Sequence, residues 1–164
     1  MESDAIENAR EYAAQHQLGL AERLRFGVHG IIFVAEHTLS VGKTAVKAHH
    51  SIAPYFRERA AYQRLLEANV SDLLGFHVPH LVQFDDALRV IEMTIVTRPF
   101  VLDFAGAYLD QRPDFPEDKW AEWEVEKRDL FENRWSTVQA ILAALEEFDI
   151  YMVDVSPSNI AFSN

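Results

Sequence analysis

The chain of 164 residues contains no cysteine, so no disulfide can hold it together. Its longest apolar runs, at 31–35 and 140–145, are far shorter than the roughly 18 to 20 residues that a membrane-spanning helix needs. The first residues are acidic, whereas a secretory signal begins with basic residues and continues with an apolar stretch. We therefore expect a protein that does not cross a membrane and that resides in the cytoplasm.

Basic residues are also scarce, with 15 Lys and Arg against 26 Asp and Glu, so the formal net charge is −11. This charge repels polyphosphate backbones, and nucleic acid is not an expected partner. Residues 101–150 carry 13 acidic and 5 basic side chains, while the rest of the chain carries 13 and 10. The first hundred residues are therefore the more favourable place for an anionic ligand.

The composition is otherwise that of a folded protein, with 49% hydrophobic and 12% aromatic residues. The length suits one domain, or a small lobe packed on part of another. Helix formers, with Asp4 as a candidate N-cap, predict a helix within residues 1–21. The segment 22–100 combines β-rich runs with one helical stretch, and the segment 101–164 is helical and acidic.

Five β-rich runs in the middle segment predict five strands, at residues 24–28, 31–35, 44–48, 82–84 and 90–96. Between the third and fourth runs, residues 56–67 combine helix formers with an apolar face, and Pro54 fits the first turn of a helix. Apolar residues recur at intervals of three or four over 135–148, which predicts an amphipathic helix. The fold class is therefore α+β, with a five-stranded antiparallel sheet.

Two residue types in this middle segment can bind an anion, glycine and lysine, and a glutamate can pair with the lysine. Gly27 and Gly30 enclose a turn where backbone N–H groups can approach a phosphate, although an ordinary hairpin turn is the alternative. Lys47 lies inside an apolar strand, where a buried cation needs a partner or a ligand; on an edge strand it would face water. Glu58 on the following helix is a candidate counter-ion for Lys47, or else faces water.

The last segment carries an acid and an amide five residues apart, Asp154 and Asn159, on a loop held by Pro157. Both side chains can point to one spot, where a base and a metal ligand would lie together. The alternative is an Asx or Ser/Thr turn that only connects a helix to a strand.

The order of these features resembles the protein kinase-like fold: strand, glycine turn, strand with lysine, helix with glutamate, apolar strands, long helix and aspartate loop. Residues 157–160, Pro-Ser-Asn-Ile, resemble the catalytic loop of bacterial small-molecule and lipopolysaccharide-type kinases. The resemblance implies an N-lobe at 22–100 and a partial helical C-lobe at 101–164.

The resemblance also implies ATP and Mg²⁺ as cofactors. Gly27 and Gly30 match the second and third glycines of the family's phosphate loop. Lys47, in the sequence Thr-Ala-Val-Lys, would contact the α- and β-phosphates and act in catalysis, with Glu58 as its partner on the helix.

The same resemblance assigns the remaining site residues. Asp154 would be the catalytic base and Asn159 a Mg²⁺ ligand. Pro99 and Phe100 would lie in the hinge that binds adenine through its backbone.

The chain also departs from the family's pattern. Arg25 stands where the first glycine of the phosphate loop would be, and Met152 and Val153 replace the His and Arg that precede the catalytic Asp154. The chain stops at Asn164, before the family's DFG segment, so we expect no counterpart to the Asp that holds the main Mg²⁺.

These matches and departures predict a C-terminally truncated kinase-like domain with little or no phosphotransfer activity and with an ATP-binding, regulatory or interaction role. One alternative is an active ATP-dependent phosphotransferase with Asp154 as base, and another is a scaffold that binds no nucleotide. A Lys47–Glu58 pair across an open cleft would favour nucleotide binding. Phe33 or His29 filling the cleft would favour the scaffold.

A truncated C-lobe would leave the apolar side of the 135–148 helix partly uncovered. Large exposed apolar patches are usually interaction surfaces. We therefore expect a homodimer or a protein partner that covers this helix.

Overall fold

The computed structural model describes residues 2–164, which form four α-helices and eleven strands. In chain order these are α1 (Glu2–Gln15), β1 (Leu18–Phe26), β2 (Gly30–His37), β3 (Lys43–His49), α2 (Ile52–Glu67), β4 (Asp72–Leu73), β5 (Phe76–His77), β6 (Leu81–Asp85), β7 (Val90–Thr94), β8 (Phe100–Val101), β9 (Tyr108–Leu109), α3 (Glu117–Phe131), a 3-10 turn (Glu132–Arg134), α4 (Trp135–Glu146), β10 (Ile150–Tyr151) and β11 (Ile160–Ala161).

The largest sheet has five antiparallel strands in the order β1-β2-β3-β7-β6, so the predicted α+β class and the five-stranded sheet are confirmed. β1 begins earlier than expected, at Leu18, because Leu18 is buried and pairs with His37 at the far end of β2. The predicted first helix is correspondingly shorter and ends at Gln15.

The two faces of this sheet are covered by different helices. On one face α1 packs through Ala5, Ala9 and Ala13, whose small side chains allow a close approach to Ile31 and Val46. On the other face, the buried residues of α2 join the larger hydrophobic core. The neighbours of Lys47 on β3, Val46 and Ala48, belong to the core on the α1 side. Because side chains alternate along a strand, the Lys47 side chain points to the α2 side.

Four very short strands occur in the region that the sequence predicts to be helical. β8 pairs with β11, and β9 pairs with β10, both antiparallel. Residues 102–107 between β8 and β9 are therefore held beside residues 152–159 between β10 and β11. The strand expected after the Asp154 loop is present as β11. The other three have two residues each and are too short to show a period of two, which explains why the sequence pattern did not predict them.

The predicted amphipathic helix is present as α4, but its apolar side is covered within the chain. Trp135, Val138, Ile141 and Leu145 are all buried. The ring of Trp123 on α3 contacts Trp135 edge-on, with centroids 5.8 Å apart. Leu142 and Phe148 of the predicted face are only partly buried, although they pack against the same core. The covering is therefore more complete than expected, and the dimer or protein partner inferred from an uncovered face stays a prediction.

None of the helices within residues 2–164 combines the length and the apolar character that crossing a membrane requires.

Candidate functional site

Lys47 is the centre of a buried ion cluster. This residue lies on β3, and its side chain is 4% exposed. The Nζ atom lies 2.7 Å and 3.0 Å from the two carboxylate oxygens of Glu58 and 3.0 Å from Oδ1 of Asp103. An ammonium group has three N–H donors, so these contacts occupy all of them. The alternative of a solvated edge lysine is excluded, because β3 lies between β2 and β7.

Glu58 reaches Lys47 from the middle of α2 and is fully buried. Its Oε2 atom also lies 2.9 Å from Nε2 of His49. Burial by itself would raise the pKa of Glu58, but the charge of Lys47 and the hydrogen bond from His49 outweigh it and hold that pKa well below its usual range. For Lys47, burial alone would lower the pKa, and the carboxylates of Glu58 and Asp103 raise it instead.

Asp103 follows β8 and is held in place by α2. Its φ of 71° lies in the left-handed region, which Asp tolerates better than most residues and which is often found at functional sites. The Asp103 N–H donates to the hydroxyl of Tyr62 over 3.2 Å. The next side chain, Phe104, is buried edge-on against the Tyr62 ring, and Arg57 donates through Nε to the Ala105 carbonyl over 3.0 Å.

The sequence prediction missed Asp103 because it sought a second acid only beyond Asn159. The signal that could have identified it is local: an apolar segment, 100–102, ends at an aspartate, and Gly106 follows three residues later. The structure thus places a second acid, Asp103, at the cleft, while the expected lack of a counterpart to the family's Mg²⁺-binding aspartate stays a prediction.

The segment around Asp154 and Asn159 is a loop stiffened by its own side chains. Asn159 Oδ1 accepts from the Ser156 N–H over 2.8 Å, and Asn159 Nδ2 donates to the Asp154 carbonyl over 2.6 Å. The Ser158 N–H also donates to Ser156 Oγ over 3.3 Å, so the Ser/Thr turn expected as the alternative is present. It leaves the exposed Asp154 carboxylate without a hydrogen bond among residues 2–164 and pointing to Gly106, where a Cβ would lie 3.5 Å from Oδ2.

Two adjoining cavities lie between the large sheet and this loop. The first, of about 230 Å³, is mainly apolar and is lined by residues including Leu24, Ala45, Met93, Ile95 and Leu102. The second, of about 200 Å³, is polar and is lined by residues including Gly27, His29, Gly30, Asp154 and Asn159. Both cavities share Arg25, Ile32, Lys47, Asp103 and Ser158, so they form one continuous cleft.

The structure brings most of the predicted site residues to this cleft. Glu58 and Phe100 line the apolar cavity, and Lys47 lines both cavities. Pro99 lines neither cavity; instead residues 94–96, the last residue of β7 and the two after it, border the apolar cavity. Its neighbour in the prediction, Phe100, is the nearer of the two to the cleft.

The two glycines serve different purposes in the turn before β2. The Gly27 N–H donates to the Gly30 carbonyl over 2.9 Å, which closes the hairpin turn expected as the alternative. A Cβ at Gly30 would collide with the carbonyl oxygen of Ala48, so this glycine is needed for strand packing whether or not a phosphate binds. Both glycines nevertheless line the polar cavity.

The donor set of the cleft suits a hard divalent cation that is bound together with phosphate. No three His, Cys, Asp or Glu side chains among residues 2–164 are close enough to hold a metal by themselves. Asp103, Asp154 and Asn159 border the same cavity. Mg²⁺ is commonly held by one or two carboxylates, with the substrate's phosphate oxygens and water completing its shell.

Comparisons of the chain with protein-family models, with curated proteins and with solved structures found no match.

Proposed function

We propose that the cleft binds a nucleoside triphosphate, ATP, together with Mg²⁺, and that the chain is a protein kinase-like nucleotide-binding protein. The observation that carries the proposal is the position of Lys47, paired with Glu58 and Asp103 at the junction of an apolar and a polar cavity. An ion pair that served only to stabilise the fold would not need the adjoining polar cavity, which Asp154 and Asn159 also line.

The two cavities match the two chemical ends of a nucleotide. A purine base is flat and apolar on its faces, and the apolar cavity between Leu24, Ala45 and Leu102 offers surfaces of that kind. The backbone of residues 94–96 borders this cavity and can exchange hydrogen bonds with the edge of the base. The polar cavity beneath the Gly27–Gly30 turn would receive the phosphates.

The cation would be held by Asp103 and Asn159 together with phosphate oxygens. Bound there, it would neutralise charge on the phosphates. Asp103 keeps Oδ2 without a hydrogen bond among residues 2–164 while Oδ1 contacts Lys47, so one carboxylate can bridge the lysine and the cation.

Phosphoryl transfer is a second candidate function, and the exposed carboxylate of Asp154 favours it. A base must reach the acceptor hydroxyl, and Asp154 borders the polar cavity with neither oxygen engaged in a hydrogen bond among residues 2–164. The missing metal-binding aspartate was the main reason for expecting little phosphotransfer activity. Under this proposal Asp103 can supply a second acid, so that reason no longer applies. The acceptor is then a molecule that enters from the Asp154 side.

The scaffold alternative receives less support. Lys47 and Glu58 pair beside an open cleft, and Phe33 packs with the α1 cluster on the other face of the sheet. His29 borders the polar cavity without closing it.

The direct test is calorimetric titration of the chain with adenosine and with ATP, each with and without Mg²⁺. We expect both ligands to bind, and Mg²⁺ to strengthen the binding of ATP alone. Asp103→Asn should reduce this Mg²⁺-dependent gain about tenfold or more, and leave adenosine binding unchanged. Asp129→Asn, which changes an exposed acid on α3, is the matched control. Absence of any binding at millimolar ATP would refute the proposal.

Phosphoryl transfer has a separate readout. Release of ADP from Mg²⁺-ATP should be lost in Asp154→Asn, while the affinity for ATP stays within about twofold of the original. Equal ADP release from both proteins would remove Asp154 from the reaction.

A further inference from the structure

Arg25 occupies the position between the two cavities where the base and phosphates of a nucleotide would meet. It lies near the end of β1, is half-buried and lines both cavities. Its guanidinium crosses the cleft to the opposite loop, with one nitrogen 2.9 Å from Ser158 Oγ and another 3.5 Å from the Ser158 carbonyl oxygen. No carboxylate within residues 2–164 forms an ion pair with it.

Elsewhere in the cleft, positive charge is compensated by acids of the protein. Asp103, Asp154 and Glu58 contribute three carboxylates, against the cations Lys47 and Arg25. All three donors of Lys47 are already engaged by two of these carboxylates, so its charge is compensated within the protein. A phosphate chain that enters the cleft therefore meets one cation whose charge is not compensated by an acid, and that cation is Arg25.

The contacts that Arg25 makes are ones that a phosphate can replace. A guanidinium has five N–H donors in a planar fork, and its two contacts here are with neutral oxygens. Hydrogen bonds between ionised partners are roughly twice as strong as those between neutral ones, and a phosphate also accepts the fork with two oxygens at once.

We propose that Arg25 is a phosphate-binding residue of this cleft, which exchanges its contacts with Ser158 for the phosphates of a bound nucleotide. This inference rests on the proposed nucleotide binding. It assigns the recognition of phosphate to β1 rather than to Lys47, whose role is then to hold Asp103 and Glu58 in place.

The test compares ATP with adenosine, in the presence of Mg²⁺, in three variants. Arg25→Ala should weaken ATP binding about tenfold to a hundredfold and change adenosine binding less than about twofold, because adenosine has no phosphate. The matched control is Arg23→Ala on the same strand, which removes an exposed arginine that pairs with Glu2 over 3.6 Å. Both affinities should stay within about twofold in this control.

Ser158→Ala separates direct binding from positioning. If Arg25 binds the phosphates itself, loss of the Ser158 hydroxyl leaves ATP affinity equal or higher, since the competing contact is gone. An ATP loss in Ser158→Ala as large as that in Arg25→Ala would overturn the proposal, and so would an equal loss of ATP and adenosine binding in Arg25→Ala. If the unaltered protein bound neither ligand, the proposed nucleotide binding would be refuted. If Arg25→Ala bound ATP normally, only the proposed role of Arg25 would be refuted.

Discussion

Two buried glutamates, Glu58 and Glu92, lie on opposite sides of the same sheet, and their buried carboxylates are stabilised in different ways. Glu92 on β7 is 2% exposed and accepts hydrogen bonds from the Tyr12 hydroxyl over 2.8 Å and the Thr44 hydroxyl over 2.7 Å. Glu58 is fully buried and contacts the ammonium of Lys47. The first carboxylate is held by hydroxyl groups and the second by a cation.

The surroundings of the two glutamates differ as well. Tyr12 belongs to α1, so the Glu92 contacts fasten that helix to the sheet, and Glu92 lines neither cavity of the cleft. Burial and the nearby Glu92 charge raise the pKa of Tyr12 above its usual range, which keeps the hydroxyl a donor. Glu58 instead borders a cavity and shares its cation with Asp103. Burial alone therefore does not distinguish the two glutamates; the shared cation and the adjoining cavity do.

The largest effect is expected from a substitution that removes the cation bound to Glu58. Lys47→Met keeps most of the side-chain volume but leaves Glu58 buried without its cation. We expect the free energy of unfolding to fall by about 3–5 kcal/mol, the usual cost of removing one partner of a buried ion pair. Chemical denaturation measures this value.

Lys43 offers a matched control on the same strand. Its ammonium is exposed and lies 3.2 Å from Glu36, so Lys43→Met should cost at most about 1 kcal/mol. Similar losses in the two variants would mean that Lys47 contributes no more than a surface lysine, and the contrast between the two glutamates would fail.

The pH dependence of stability is the next effect in size. The pKa of Glu58 is lowered from 4.5 to about 2, so the unfolded chain takes up a proton at a higher pH than the folded chain does. The stability that Glu58 contributes through this pKa difference is present in full above pH 4.5 and is lost as the pH falls towards 2. This shift corresponds to about 3 kcal/mol.

Denaturation measured at several pH values between 7 and 2 checks this, with Glu58→Gln as the comparison. The variant should be less stable at pH 7, and its stability should decline less steeply than that of the original protein as the pH falls. Parallel declines in both proteins would assign the acid sensitivity to other carboxyl groups, such as Asp86, whose pKa is lowered by Tyr55 and Arg59.

The sequence predicted the parts of this site that belong to long, regular elements. Lys47 lies in a seven-residue strand and Glu58 in a sixteen-residue helix, and both elements show clear residue patterns. The five-stranded sheet was predictable for the same reason. Its individual strand ends were less so, because pairing with β2 extends β1 back to Leu18.

Asp103 and the covering of α4 could not be predicted in this way. Asp103 is placed by a two-residue strand, a left-handed φ and the hydroxyl of Tyr62, none of which has a periodic signal. The covering of α4 depends on α3, whose Trp123 packs against Trp135 in the folded chain. Both are consequences of tertiary contact rather than of local pattern.

The smallest expected effect tests the Glu92 side of the comparison. Tyr12→Phe removes one of the two hydroxyl donors of Glu92 and leaves the ring packed in place. We expect a loss of about 1–3 kcal/mol in the free energy of unfolding, the cost of leaving a buried acceptor with one partner fewer. Nucleotide binding should not change, because Glu92 lines neither cavity.

His37→Ala distinguishes hydroxyl donors from charge at the same carboxylate. Among residues 2–164, His37 is the one ion-pair partner of Glu92, but its Nε2 lies 3.8 Å from Oε1 and its side chain is partly exposed. A partner at that distance contributes at most about 1 kcal/mol. If His37→Ala destabilised the protein more than Tyr12→Phe does, Glu92 would depend on a cation just as Glu58 does. The two buried glutamates would then no longer differ in what stabilises them.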